Sequence, residues 1–309
     1  MSIFERGRPD PRFGPDQGPV VVGGVGGSGT RVVAEIMRHL GVYTGSVLNK
    51  AGDNKWFSLL CKLPRFELDN GADAVQIERS LDLLERAMTG QLSWTRERRT
   101  IKEIVDRCEA RASLRPLWDD RSPEWLRTVA ATLRHARRNA PADAPVWGWK
   151  EPNSHLFLPH MLQHFGERMR YVHVIRNGVY MAYSANQAQV SRWGRYFGVD
   201  VEDGSPTPRD SLDYWIAANE LAMTRGRALG PDAFLMVNYD QLCAQPAVVV
   251  PLLAAFLGFD PPPAQIDELV ALPRAARPPA LTRTQMEDEF GEERLSRVRG
   301  LGFSLEDAA

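Results

Sequence analysis

The sequence carries almost no net charge: 38 Lys and Arg stand against 39 Asp and Glu, a formal −1 over 309 residues. Without a basic field nothing draws a nucleic-acid backbone, so no nucleic-acid partner is expected. There is no apolar run of about 18 residues and the first residues are polar, so neither a membrane span nor a secretory leader is expected. Only three cysteines are present, Cys61, Cys108 and Cys243, scattered through apolar or helical patterns. Their spacing matches no zinc site and points to buried free thiols in a reducing cytoplasm. No internal repeat is visible, which excludes solenoids and propellers. The length suits one large domain, or one with a sizeable insertion. Residues 1–18, rich in Pro, Gly, Asp and Arg, read as a flexible lead-in.

What is present concentrates in residues 19–40. Val20 to Val22 form a β-branched run that reads as a short buried strand. Gly23 to Gly29 is a glycine-rich loop, after which Val32, Val33, Ile36, Met37 and Leu40 mark the apolar stripe of a helix. Strand, glycine loop and helix together offer bare N–H groups to an anion, because glycine has no Cβ and the helix start is partly positive. Aligned as a triphosphate loop, Gly24 and Gly29 take the glycine positions, but Thr30 stands in the lysine's place. Arg31 then occupies the slot of the Mg²⁺-binding hydroxyl, where a guanidinium repels the metal and cannot ligate it. Aligned as a dinucleotide fingerprint, Gly24, Gly26 and Gly29 fit, but no second strand ending in Asp or Glu follows at the required distance.

The segment Gly27-Ser-Gly-Thr-Arg31 resembles the 5′-phosphosulfate loop of sulfotransferases that use 3′-phosphoadenosine 5′-phosphosulfate (PAPS). Cytosolic members carry Lys-Ser-Gly-Thr-Thr there, and the heparan-sulfate glucosaminyl 3-O-sulfotransferases carry Lys-Gly-Gly-Thr-Arg ahead of an apolar helix. The departure is Gly27, where the family usually has Lys or Arg. The resemblance implies that Gly26, Gly27, Ser28, Gly29, Thr30 and Arg31 hold the phosphosulfate, through amides, the Thr30 hydroxyl and the Arg31 charge. It also implies a carboxylate base soon after the loop, ahead of a short aromatic segment, and Asp53-Asn-Lys-Trp-Phe57 is similar. Asp53 in a plain loop or cap is the alternative, since Asp and Asn favour such places. Lys50 and Lys55 could orient an acidic acceptor or simply face water.

Residues 56–140 read as helices without strands. Ile77, Leu81, Leu84 and Met88 form one stripe; Ile101, Ile104, Val105, Cys108 and Ala112 form another. Glu103 and Arg107 are spaced for an i,i+4 pair. Ser122-Pro123 opens a further helix that runs to about Arg138. Trp94, Trp118 and Trp125 have two readings: platforms for sugar rings, or packing.

Beyond this block, Val146 to Trp149 reads as a strand with Lys150 at its carboxyl end, the edge at which open α/β sheets bind ligands. The resemblance extends to Lys-Glu-Pro152 before a helix at about 156–165, and a lysine there could neutralise charge on the bridging oxygen. Glu151 and His155 are alternative bases. A third strand, 171–175, ends at Arg176, with Asn177-Gly178 as the turn and Ser184 eight residues on. A guanidinium binds phosphate bidentately and a hydroxyl completes the shell; in PAPS-dependent enzymes this pair holds the 3′-phosphate. A nucleoside-triphosphate enzyme would end this strand in Asp. A long helix at 210–229, a strand from 234 and a helix from Pro246 to Phe256 follow. The late order of tyrosine, acid, leucine and proline again resembles the family, with Tyr239 either against the adenine or in the core. Arg283 and Arg299, in a Pro- and charge-rich tail, are guesses for further cations at the 3′-phosphate.

These readings converge on an α/β fold, a P-loop-type three-layer arrangement with a mainly parallel sheet, β1 at 19–24 central, and a helical insertion at about 58–140 within a domain at 19–309. The implied reaction is sulfuryl transfer from PAPS to a hydroxyl or amine, possible acceptors including a carbohydrate or glycolipid. Asp53 would be the base and Lys150 would aid the leaving oxygen. No metal is implied, because the donor has no triphosphate. A P-loop kinase or NTPase, and a nucleotide-binding protein without catalysis, are the alternatives; a dinucleotide oxidoreductase stands last.

Overall fold

The computed structural model describes residues 18–68, 71–114, 122–140, 146–185, 187–201, 205–275 and 281–305, so the lead-in at 1–17, Trp118 and the last residues of the tail lie outside the described residues. β1 (Val20–Gly24) is fully buried, as three valines followed by glycines dictate. The glycine loop feeds α1 (Thr30–His39), whose last turn carries Arg38 and His39, opposite in charge to the helix's carbonyl end. A single turn, α2 (Lys55–Phe57), starts where the Asn54 side chain accepts from the Phe57 amide, and passes into a wide i→i+5 turn at Ser58–Lys62. α3 (Ala74–Met88) and α4 (Trp94–Leu114) follow.

The helix expected from 122 to about 138 is broken. α5 (Pro123–Thr132) begins at the Ser122 cap as foreseen, but a 3₁₀ turn at Leu133–His135 separates it from α6 (Ala136–Asn139). β2 (Gly148–Lys150) ends on the lysine, and a 3₁₀ turn leads into α7 (Leu158–Phe165). β3 (Arg170–Ile175) stops just before Arg176. Then come α8 (Gly178–Ala182), α9 (Ala188–Trp193), α10 (Pro208–Arg227), β4 (Phe234–Asn238), α11 (Tyr239–Ala244), α12 (Pro246–Phe256) and α13 (Pro263–Val270). α14 (Arg283–Gly300) bends at Gly291, whose φ of 73° is non-helical. This stretch, expected as a tail, is helical, and Thr282 and Gln285 form a capping box at its start.

The four strands make one parallel sheet in the order β2-β1-β3-β4, with β1 interior as expected. β1 and β2 pair with Val20 opposite Gly148 and Val22 opposite Lys150. The described chain forms two compact units. One holds residues 23–33 and 172–305; the other holds 18–22 and 34–171, which include the expected insertion. In the first unit α10 packs on α8 and α14, and α12 on α13. In the second α3 packs on α7 and α4 on α5. The anticipated Glu103–Arg107 pair does not form. Arg107 instead grips the largely buried Asp73 with two nitrogens, at 2.9 and 2.6 Å, a forked contact stronger than an exposed helix pair.

Candidate active site

The first compact unit carries the glycine loop. Ser28 and Thr30 are buried, and Arg31 is exposed. The Ser28 amide donates to the Val25 carbonyl at 3.1 Å, closing the loop on itself. The amides of Gly27, Gly29, Thr30 and Arg31 meet no acceptor among the described residues, as the first turn of a helix dictates. The Ser28 hydroxyl is fully buried with no hydrogen-bond partner. A buried orphan hydroxyl beside unclaimed amides fits an anion with several oxygens. The Gly27 φ is +96°, a backbone that side chains rarely adopt, which gives a physical reason for glycine where the resembling loops have lysine. A Cβ at Gly27 would touch only the Met181 methyl, at 3.5 Å, whereas one at Gly29 would run into the Tyr239 ring.

Tyr239 joins the loop to the second expected anion point. Its ring covers Gly29 on one side, and the Arg176 guanidinium lies 6.0 Å from the ring centre. The phenol donates to the Arg274 carbonyl at 3.0 Å, and burial raises its pKa. Arg176 is about four-fifths buried. Its nearest carboxylate, Asp240, is 3.7 Å from Nε, too far for a hydrogen bond, and Nε has no hydrogen-bond partner. The other Asp240 oxygen accepts from the Asn177 amide at 3.0 Å, so the carboxylate orients the arginine without consuming it. Ser184 is half-buried just past α8. Asn177 also donates to the Ser304 carbonyl at 3.4 Å, which ties the segment after α14 to the turn after β3. Arg283 and Arg299 line a cavity of about 310 Å³ with Met286, Glu287, Leu295 and Ser304, but each is paired, with Glu287 and Glu292.

The second unit brings Asp53 and Lys150 together. Lys150 is buried and forms an ion pair with Asp53 Oδ1, and also donates to the Ala51 carbonyl at 3.2 Å. Asp53 Oδ2 accepts from the Asn49 amide group at 2.7 Å, while Asn49 Oδ1 accepts from the amides of Ala51 and Asp53. The aromatics next to each residue fix the pair. Phe57 stacks on Trp149 with centres 5.4 Å apart, and the Asn54 amide donates to the Lys150 carbonyl at 3.0 Å. Burial pushes the Asp53 carboxyl up, but Lys150, the Asn49 hydrogen bond and the charge of Lys62 together outweigh it and leave the pKa below the usual value.

The two alternative bases are otherwise engaged. Glu151 is 1% exposed, paired with buried Lys62, and accepts from the Asn153 amide at 2.9 Å and its side chain at 3.2 Å. His155 is buried in the 3₁₀ turn, with Nδ1 3.0 Å from the Pro152 carbonyl. Asp53 keeps more exposure, at 14% of its side chain. Trp94 lies under the Arg134 guanidinium at 4.7 Å.

Residues 19–263 match the sequence model of the sulfotransferase family. The chain belongs to that family. This sulfotransferase is similar in fold to the sulfotransferase domain of the Synechococcus PCC 7002 olefin synthase, at 16% identity and a TM-score of 0.43, with 99% of each chain covered. A sulfotransferase domain of the curacin biosynthetic pathway gives 12% identity and a TM-score of 0.47, over 94% of this chain and 99% of that one. The sulfotransferase STF1 of Mycobacterium tuberculosis H37Rv gives 13% and 0.41, over 92% and 77%. No curated protein matches. The family assignment rests on the sequence match, and it sets aside the kinase and oxidoreductase readings.

Three features of this sulfotransferase escaped the sequence. The Lys62–Glu151 pair links residues 89 apart and carries no local signal. Gln189, 163 residues from Gly26, clamps that glycine's peptide. Cys243, the next-to-last residue of α11, is only half-buried, whereas Cys61 and Cys108 are buried as expected. No helix among the described residues is long and apolar enough to cross a membrane.

Proposed function

We propose that this sulfotransferase moves a sulfuryl group from PAPS to a hydroxyl or amine of a small-molecule acceptor, with a carbohydrate as one option. The observation that carries the reading lies within one compact unit. Unclaimed amides and an orphan serine hydroxyl lie in the loop whose Gly29 abuts the Tyr239 ring, and the Arg176 guanidinium, 6.0 Å from the centre of that ring, has an Nε with no hydrogen bond. Two separate points for anions suit a nucleotide phosphorylated at both ends. In this reading Gly27 to Arg31 hold the 5′-phosphosulfate, Gly26, whose amide is taken by Gln189, only shapes the loop, and Arg176 with Ser184 hold the 3′-phosphate.

Asp53 takes the proton of the acceptor as its oxygen bonds to sulfur. The bond from sulfur to the bridging oxygen breaks, and its electron pair stays on the 5′-phosphate of the departing adenosine 3′,5′-bisphosphate. Lys150 neutralises that oxygen. The ion pair in the free protein suggests how these roles combine. While Lys150 rests on Asp53 the carboxylate is a poor base; drawing the ammonium to the leaving oxygen restores its basicity. The proton acceptor is thus released at the stage when it is needed.

Calorimetric titration tests the donor assignment. Adenosine 3′,5′-bisphosphate should bind tighter than AMP by about tenfold or more, the worth of one charged contact. Equal affinities, or an affinity for ATP that requires Mg²⁺, would overturn the reading. Transfer of labelled sulfate from PAPS across a panel of hydroxyl and amine acceptors then tests the reaction.

A further inference from the structure

Gln187 and Gln189 lie two residues apart at the start of α9, and their side chains reach in different directions. Gln189 is 6% exposed. Its Oε1 accepts from the Gly26 amide at 2.6 Å, and its Nε2 donates to the Gly26 carbonyl at 2.8 Å. One side-chain amide thus satisfies both polar groups of one loop residue, a contact that a single orientation of the glutamine allows. It also explains the glycine, because a Cβ at Gly26 would stand 2.7 Å from Oε1. The Gly26 amide is thereby removed from the anion pocket, and the four unclaimed amides after it keep a fixed direction. Gln187 Nε2 approaches three carbonyls, those of Met181 at 2.9 Å, Ala182 at 3.2 Å and Ser184 at 2.8 Å. The first two lie in the last turn of α8 and the third two residues beyond it, and the Met181 carbonyl also accepts from the Ser184 amide at 3.0 Å. The Gln187 amide group adds to the hold on the backbone that carries Ser184.

We infer that Gln187 and Gln189 are positioning residues that pre-set the two halves of the donor site, Gln189 the loop for the 5′-phosphate and Gln187 the Ser184 turn for the 3′-phosphate. The inference rests on the donor reading above. A loop already held in its binding shape loses less entropy when the ligand arrives.

The test is a titration matrix: wild type, Gln187→Ala, Gln189→Ala and Gln189→Met, each with AMP and with adenosine 3′,5′-bisphosphate, alongside ligand-free chemical unfolding. Gln189→Ala should weaken both ligands to a similar degree, by about tenfold, as a lost pre-ordering term would. Gln187→Ala should weaken the bisphosphate by about tenfold and leave AMP within about twofold, because AMP has no group for the Ser184 side. A role in folding alone would not separate the two ligands. Gln189→Met fills the same volume without hydrogen bonds, so it should behave like Gln189→Ala in binding while unfolding nearer wild type. Wild-type affinities retained in the variants would overturn the inference, as would loss of the native fold in both Gln189 variants. If wild type itself fails to prefer the bisphosphate, the donor reading falls instead.

Discussion

Lys62 and Lys150 each meet a carboxylate in the same compact unit, yet the two pairs leave different chemistry over. Lys62 and Glu151 are 4% and 1% exposed, and Asn153 takes up more of the carboxylate, so nothing remains for a substrate. Asp53 keeps one edge open, and its partner is the lysine at the end of a strand. Asp53→Asn should therefore lower kcat by about 10²- to 10⁴-fold, the usual worth of a general base, while adenosine 3′,5′-bisphosphate binds as before. Steady-state rates with calorimetry check this, and full turnover would remove Asp53 from the mechanism. Lys62→Met should cost about 3–5 kcal/mol of stability, since Glu151 is left charged in the interior. The double variant Lys62→Met with Glu151→Leu should recover part of that loss in urea unfolding. Lys150 was legible because strand ends mark ligand edges; Lys62 was not, because a lysine amid Leu59, Leu60 and Cys61 gives no hint of the buried carboxylate it will meet.

Among the elements, those with a broad apolar pattern were the legible ones. Val20 to Val22 and 171–175 read directly as strands, and the glycine loop between β1 and α1 followed from composition. α14 was missed because its burial rests on few residues, Met286, Phe290, Leu295 and Val298, within a charge-rich run. Its attachment is ionic as well: Arg294 grips Asp213 at 2.6 and 2.8 Å, and Arg297 grips Glu220 at 3.0 and 2.6 Å. Such pairs exist only once α10 is in place. A similar tie joins α7 to α3. His164 sits between Glu78 and Glu85, with Arg168 also on Glu85 and the Phe165 ring edge-on. The Glu85 hydrogen bond is the largest cause that raises the imidazole pKa, helped by Glu78 and opposed by burial. A raised folded-state pKa means that the stabilisation is complete below the ordinary imidazole value of about 6.5 and fades as pH climbs through the folded value. Wild type should lose stability as pH rises above about 6.5, and His164→Gln, which cannot charge, should flatten that slope. Urea midpoints at several pH values read the difference; parallel slopes would show that the tie carries no proton linkage.

At the scale of the whole molecule, a net charge of −1 gives an anionic donor no general attraction, so recognition must be local. The local means are unevenly divided. Up to Thr30 the loop offers neutral amides and hydroxyls where the resembling loops add a cation, and Arg31 and Arg176 supply the formal charge inside the first compact unit. A ligand held mainly by amides should reveal itself in their exchange with solvent, because an amide that donates to phosphate can no longer open to water. Hydrogen exchange with and without adenosine 3′,5′-bisphosphate should show added protection at residues 27–31 and 176–189. The helices α3 and α7, tied through His164 in the other unit, should exchange as before. AMP should protect 27–31 alone, because it lacks the group that Arg176 and Ser184 are proposed to hold. The difference between the two maps isolates the 3′-phosphate. Protection that appears instead across α3 and α7, or that is the same for both ligands, would mean that the loop and Arg176 do not receive opposite ends of one nucleotide.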